Sequence, residues 1–313
     1  MTRSPVMSDK LPPLFLELLG DDFEVLPWET LAGSDSLRRA EAIITYGHPR
    51  VDGALMDAAP NLKIVSNHGV GVDHINLADA ANRNIPVGNT PGCLDGSTAD
   101  MTFALILATA RNVVVGDHYA RSPEFTVYEP SLLIGKEVHG STLGIVGLGR
   151  IGKQVARRAK AFDMHVLYHN RRRDPIAEAE FSAQYRSLDD LLAESDFVAL
   201  NCPLTAETTN LISTPQFARM KPSAMLINMS RGAVVDTDAL YAALRSGRIA
   251  GAGIDVTQPE PLPRDHPLLT LQNLVLTPHL GSASDRTRRR MIEMTIENLR
   301  AGLAGRPLPY RIA

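Results

Sequence analysis

The feature that most constrains this chain is "VGLGRIG", Val146 to Gly152, where Gly147, Gly149 and Gly152 form G-x-G-x-x-G between the strand-like run "TLGIVGL" and the helical run "IGKQVARRAKAF". In that setting each glycine has its own task. Gly147 permits a tight turn, Gly149 lets a diphosphate approach the backbone, and Gly152 lets helix and strand pack closely. The helix start adds unpaired N–H groups and a partial positive charge. Strand, motif and helix in this order predict a dinucleotide site built from Gly147, Gly149, Arg150, Ile151 and Gly152.

The motif opens a series. From Ser141 to His279, short apolar strands such as "MHVLYH", "DFVALNCP", "AMLINMS" and "GAGIDV" alternate with helical stretches of about ten residues. That alternation calls for a parallel sheet with right-handed crossovers and helices on both faces. The first hundred residues repeat the pattern more weakly: "EAIITYG" and "LKIVSNHG" read as strands and "LADAANRN" as a helix. A length of 313 residues suits two domains. The expected fold is therefore α/β, with two Rossmann-like domains, each a doubly wound parallel sheet. The closing helix, "DRTRRRMIEMTIENLRAGLAG", returns to the first domain and makes it discontinuous. The boundaries expected are 1–105 with 286–313 for a substrate-binding domain and 106–285 for a dinucleotide-binding domain. "GSTADMTFALILATARNV", Gly96 to Val113, is apolar nearly all round, which predicts burial between domains or subunits; with Phe103 and Leu107 at its centre it implies a homodimer.

Composition excludes several classes. Thirty-two basic against 35 acidic residues give a formal charge of -3, so there is no broad electrostatic footprint for nucleic acid or an anionic membrane. Cys93 and Cys202 are too few for a disulfide framework and wrongly spaced for zinc, which favours a reducing compartment and no metal. The most apolar run, "MTFALILATA", falls short of the roughly 20 residues of a spanning helix, and no signal-peptide pattern opens the chain, so the cytoplasm is the expected location.

About 20 residues beyond the glycine motif an acid normally binds the adenosine ribose diol. Here "YHNRRRD" holds Asn170 followed by Arg171 and Arg172. An acid would repel a 2′-phosphate, whereas a neutral amide beside two guanidinium groups can receive one. The stretch thus selects NADPH, with NADH as the weaker coenzyme; its alternative reading is a solvated basic loop.

Three residues stand at the ends of later strands: Arg231 in "NMSRGAVV", Glu260 in "DVTQPEPLP" and His279 in "TPHLGS". Hydride transfer to a 2-oxo acid needs a cation for the carboxylate and carbonyl, an acid for the forming alkoxide, and a partner that keeps that acid charged. Arg231, His279 and Glu260 meet these needs in turn, since a carboxylate beside an imidazole favours the imidazolium. Taken singly, each also reads as a cap, a core residue or a surface charge.

In order and spacing, "GLGRIG", "NMSRG", "GIDV", "PEPL" and "TPHLGS" resemble the D-isomer-specific 2-hydroxyacid dehydrogenases, and "NHGVGVDHI" and "NTPG" extend the resemblance over nearly the whole chain. Within that family it looks most like the glyoxylate/hydroxypyruvate reductases, including those acting on 2-ketogluconate. The resemblance implies a small 2-oxo acid substrate bound between the domains, oriented by Arg231 and protonated by His279 with support from Glu260. It further implies that Asp255 meets the nicotinamide carboxamide, that Cys202, Pro203, Thr208, Met229 and Gly281 line the coenzyme, and that the backbone of Val70 and Gly71 holds the substrate carboxylate. His68, beside that loop, reads as a loop-stabilising residue and stays outside the catalytic set. One departure stands out: after "NTPG" the family often runs Val-Leu-Thr and an acid, whereas this chain has Cys93-Leu94-Asp95-Gly96. The rival readings are a nucleotide-sensing co-repressor-like protein on the same fold, and an NAD-dependent formate or phosphoglycerate dehydrogenase.

Overall fold

The structure, a computed structural model, describes residues 3–313. The chain divides into two compact units, one running to Leu94 and resuming at Ser284–Ala313, the other Asp95–Ala283. The second junction lies two residues from the expected one. The first lies at the start of the apolar helix rather than inside it, and packing explains the difference. Helix Asp95–Ala110 lies along the sheet of the second unit, with Phe103, Leu105, Ile106 and Ala110 in that unit's core.

The first unit is a five-stranded parallel sheet, ordered β2 (Phe23–Pro27), β1 (Ser4–Ser8), β3 (Ala42–Thr45), β4 (Ile64–Asn67), β5 (Val87–Gly88). Alternate residues feed opposite faces, as the two-residue period of a strand requires. Met7, Ile43 and Val65 pack on one side, and Val6, Ile44 and Ile64 on the other. The closing helix, Asp285–Leu303, covers the second side with Ile292, Ile296 and Leu299, so the first unit is completed from the far end of the chain.

The second unit carries seven parallel strands, ordered β12 (Leu274–Leu276), β11 (Gly251–Ile254), β10 (Met225–Asn228), β9 (Phe197–Leu200), β6 (Thr142–Val146), β7 (His165–His169), β8 (Gln184–Tyr185). Phe197 and Ala199 face helices Asp95–Ala110 and Arg150–Ala161. Val198 and Leu200 face helices Leu188–Glu194, Thr214–Arg219 and Thr237–Arg245. Both faces are covered, which is why these strands read as continuous apolar runs.

The glycines of "GAGI" mark where the apolar helix crosses. A Cβ on Gly253 would stand 2.8 Å from Thr109 Oγ1 and 3.0 Å from Leu105 Cβ, so helix and strand meet without side chains between them. This corrects the sequence expectation for that helix. Most of its apolar residues are buried within its own unit, where the half-buried Met101 and Leu107 also pack against the core and Ala104 is exposed, so burial does not require a second copy. Among the described residues no single helix is long and apolar enough to cross a membrane.

Candidate active site

The site of the second unit follows from strand register. Val146, His169 and Leu200 are paired across β6, β7 and β9, so the glycine turn, Asn170 and Cys202 emerge side by side from one sheet edge. Asn228, Ile254 and Leu276 are paired across β10, β11 and β12, so Arg231 and His279 each follow three residues beyond that line and Glu260 six beyond it. Neighbouring strands lie about 4.8 Å apart. The ends of a parallel sheet therefore gather residues distant in sequence.

At the glycine turn, Gly147 adopts φ +99°, and a Cβ there would lie 2.6 Å from the Cys202 amide nitrogen. Gly152 packs its Cα against the Gly147 carbonyl, a contact with no room for a methyl group. Gly149 is the opposite case: nothing lies within 4 Å of a Cβ placed on it. It also caps helix Arg150–Ala161 without any side-chain hydrogen bond. Helices starting after Asp52, Asn76, Asp174, Ser187 and Asp236 are all capped by those side chains. An uncapped, open helix start suits an incoming anion. Ile151 turns its side chain toward the core, so any contact it makes with a ligand is through its backbone.

Asn170 accepts the Leu148 amide on Oδ1 at 2.8 Å, tying the end of β7 to the glycine turn. Arg171 and Arg172 are exposed and make no hydrogen bond to the described residues, while Arg173 is held by Glu178 (2.7 and 3.0 Å) and lies over Tyr185. Only two of the three arginines therefore remain available to a ligand. Cys202 is mostly buried, and burial pushes its thiol up to about 11. Thr208 donates its hydroxyl to the Pro203 carbonyl at 2.7 Å, closing the loop after β9.

His279 shares a 2.7 Å hydrogen bond through Nδ1 with Glu260 Oε1, both side chains being partly exposed. Asp255, 2% exposed, is committed to the backbone that carries His279: Oδ1 accepts Thr277 Oγ1 (2.6 Å) and the Leu280 amide (2.7 Å), and Oδ2 accepts the Gly281 amide (2.7 Å). The resemblance gives Asp255 to the nicotinamide; its observed work is positioning, with acceptor capacity remaining on Oδ2. A Cβ on Gly281 would lie 3.2 Å from Met229 Cε and 3.3 Å from Asp255 Oδ2, so the three pack as one group. Arg231 is set by a residue absent from the sequence-based set, Asn228. Its Nδ2 donates to the Arg231 carbonyl (3.0 Å) while its Oδ1 accepts the Ser230 amide and hydroxyl. Gly232 packs against the Thr257 carbonyl group, joining the loops after β10 and β11.

The first unit offers a separate anion cradle. Asn67 Nδ2 donates to the carbonyls of Gly69 and Gly71 (2.9 Å each), and Asn89 Nδ2 to that of Val70 (3.0 Å). With these carbonyls occupied, the amides of Val70 and Gly71 donate to no acceptor among the described residues. Unpaired amides on a partly exposed turn suit a carboxylate. Asn67 and Asn89 were detectable in principle as amides flanking glycine turns in "SNHG" and "GNTPG". His68 is 7% exposed, in tilted contact with the rings of Phe15 and Tyr46, with Nδ1 3.4 Å from Thr295 Oγ1. Burial first, then the charges of Arg288 and His48, lower it to about 3, which makes it a neutral core residue.

Comparison with known proteins identifies the family and the fold. Residues 103–281 match the family model for the D-isomer specific 2-hydroxyacid dehydrogenase, NAD binding domain. The chain is 46% identical over 297 residues to the glyoxylate reductase of Korarchaeum cryptofilum, covering 93% of this chain and 90% of that protein. It is 45% identical over 302 residues to the glyoxylate reductase of Pyrococcus horikoshii, with the same coverage. Among solved structures, the NADPH-dependent glyoxylate/hydroxypyruvate reductase of Sinorhizobium meliloti, in complex with NADP and malonate, superimposes with a TM-score of 0.91 at 32% identity, over 100% of this chain and 97% of that one. With two parallel-sheet units, the glycine turn and the strand-end residues in one order, the chain belongs to the D-isomer-specific 2-hydroxyacid dehydrogenase family.

Proposed function

We propose that this chain reduces small 2-oxo acids to D-2-hydroxy acids, with NADPH as the preferred coenzyme and NADH as the weaker one. Glyoxylate, hydroxypyruvate and 2-ketogluconate are the substrates to test first. The observation that carries this reading is the 2.7 Å bond between His279 and Glu260, on loops leaving β12 and β11, the second of which is adjacent to β10, the strand that leads to Arg231.

The bound coenzyme supplies a hydride to the carbonyl carbon. The protein supplies the rest. Glu260 accepts a hydrogen bond from His279 Nδ1–H and orients the ring, so that Nε2–H is the proton given to the carbonyl oxygen as it becomes an alkoxide. Arg231 pairs with the substrate carboxylate and polarises the carbonyl. Within the first unit, the unpaired amides of Val70 and Gly71 are suited to receive a carboxylate. Relatives named glyoxylate reductase support the substrate class.

Coenzyme preference rests on Asn170, Arg171 and Arg172. With Oδ1 already accepting the Leu148 amide, Asn170 presents its NH2 group, a donor suited to phosphate oxygen, and two exposed guanidinium groups follow it, Arg171 within electrostatic reach of Glu207. The solved neighbour from Sinorhizobium meliloti, NADPH-dependent by its name, supports the same choice.

A homodimer is also inferred, on a surface other than the one the sequence indicated. Val127, Tyr128 and Ile134 are 70%, 79% and 77% exposed, and Val113, Phe125 and Leu132 accompany them. So dense an apolar stretch suits contact with a second copy.

The deciding experiment is coenzyme oxidation against the three acids, with NADPH and NADH in parallel, for the wild type and His279→Ala. General acid catalysis is worth about 10²- to 10⁴-fold, so the variant should retain coenzyme binding and lose turnover on that scale. A loss below about tenfold would remove His279 from the proposed role.

A further inference from the structure

β5 is a two-residue strand at the edge of the first unit's sheet, and the chain returns after the closing helix to cover it. Val87 accepts the Ile312 amide (2.9 Å) and donates its own to the Ala313 carbonyl (3.0 Å), with an antiparallel bridge between Gly88 and Arg311. The Asn89 amide donates to the Tyr310 carbonyl (3.0 Å). Buried Asn298 fastens both partners from the helix: its Oδ1 accepts the Tyr310 amide and its Nδ2 donates to the Asn89 carbonyl, at 3.1 Å each. A Cβ on Gly88 would lie 2.6 Å from Asn298 Cγ, so helix and strand meet with no room to spare. The Tyr310 ring is anchored in turn, its hydroxyl donating to Glu297 Oε2 and accepting from Arg290 Nη2 (2.8 Å each).

The anion cradle hangs from the same stretch of chain. Asn89 Nδ2 donates to the Val70 carbonyl, and the Thr90 amide donates to the Gly69 carbonyl, at 3.0 Å each. The main chain of Asn89 is thus fixed by the returning segment, while its side chain fixes the turn that carries the Val70 and Gly71 amides. We propose that Tyr310–Ala313 is a strap that sets the alignment of this cradle, with Asn89 as the positioning residue that transmits it. The inference rests on the reading that the Val70 and Gly71 amides receive the substrate carboxylate. An anion gains from two amides only when both point at it, because a hydrogen bond weakens steeply as its angle closes. A loosened Asn89 lets the turn rotate, and the loss falls on carboxylate binding. The strap and cradle belong to the first unit, whereas the glycine turn, Arg231, Glu260 and His279 belong to the second, so coenzyme affinity should not follow.

The test is steady-state kinetics with glyoxylate, beside fluorescence titration of NADPH, for wild type, Asn89→Ala, Tyr310→Phe and the double variant. Asn89→Ala should raise KM for glyoxylate about three- to tenfold, with kcat and the coenzyme Kd within about twofold of wild type, the signature of lost uniform binding. Tyr310→Phe should raise KM about two- to fourfold, yet add less than about 1.5-fold in the Asn89→Ala background, since both act along one path. Asn89→Ser takes the place of Asn89→Ala if the latter does not fold. An unchanged KM in the single variants, effects that multiply in the double variant, or a matching loss of coenzyme affinity would overturn the proposal and leave the segment as a cover for a sheet edge. A wild type that does not reduce glyoxylate, or that reduces methyl glyoxylate equally well, would overturn the carboxylate reading itself, and this proposal with it.

Discussion

Asn170, Arg171 and Arg172 show how much a single exchange of charge can decide. If both guanidinium groups grip a 2′-phosphate, Arg171→Ala with Arg172→Ala should weaken NADPH far more than NADH. Charged hydrogen bonds are worth roughly 1.5–3 kcal/mol each before discounting for exposure, so preference should fall about ten- to several-hundredfold in the kcat/KM ratio. A ratio unchanged by the double substitution would make the pair a solvated patch. Glu260→Gln tests a different link. Without the carboxylate the His279 ring loses the acceptor that orients it, so kcat should fall while coenzyme affinity holds, and unchanged kinetics would separate the two residues. His68 governs stability rather than chemistry. It is held at about 3 when folded, against 6.5 for the free side chain, so below about pH 6.5 the unfolded chain binds a proton that the folded one refuses. Stability should therefore fall as pH drops from about 6.5 toward 3, by up to about 1.4 kcal/mol per unit. Denaturant unfolding of wild type and His68→Gln between pH 7 and 4, roughly that window, should show a shallower decline for the variant.

At the scale of elements, the glycines separate folding from binding. A methyl group on Gly232 would occupy the place of the Thr257 carbonyl, so the loops bearing Arg231 and Glu260 must part. Overpacking of this kind costs about 1–3 kcal/mol. Gly232→Ala should lower the melting temperature by roughly 3–10 °C and reduce kcat/KM even where the protein remains folded. Gly149→Ala offers the contrast, because its Cβ meets nothing and its φ of -82° suits any residue. That variant should melt with the wild type yet bind coenzyme less well, the added methyl standing on the face a diphosphate approaches. Matching behaviour of the two variants in both assays would contradict the division of labour read from the turn.

At the scale of the whole molecule, the helix Asp95–Ala110 and the segment that follows it exchange the roles their sequences suggest. The helix looks like an interface and is core; the exposed apolar residues lie beyond it, from Val113 to Ile134. Sedimentation of the wild type at micromolar concentration should show a dimer, and Val127→Asp with Ile134→Asp should convert it to a monomer with its fold intact. A monomeric wild type would leave that segment to another partner.

What the sequence by itself determined was whatever depends on local spacing. The glycine turn needs only its own six residues and the strand before it, so its geometry was legible in "VGLGRIG", and the alternation of apolar runs made both parallel sheets legible as well. His279 and Glu260 were nameable because their types match a chemical need, 19 positions apart. Tertiary structure decided the matters that require knowing what lies opposite. The weak periodicity of "MTFALILATA" records extensive burial but cannot say by what; at Leu105 and Thr109 the answer is the glycine face of β11. The buried amides Asn67, Asn89 and Asn228 lie in turn-like sequence, but which turn each clamps, the first two sharing one and the third holding another, is a fact of position rather than of composition. Arg158 reads as an ordinary helix cation until the fold sets it against Asp100, 58 positions away, and charges act through distance in space, which the linear chain does not record.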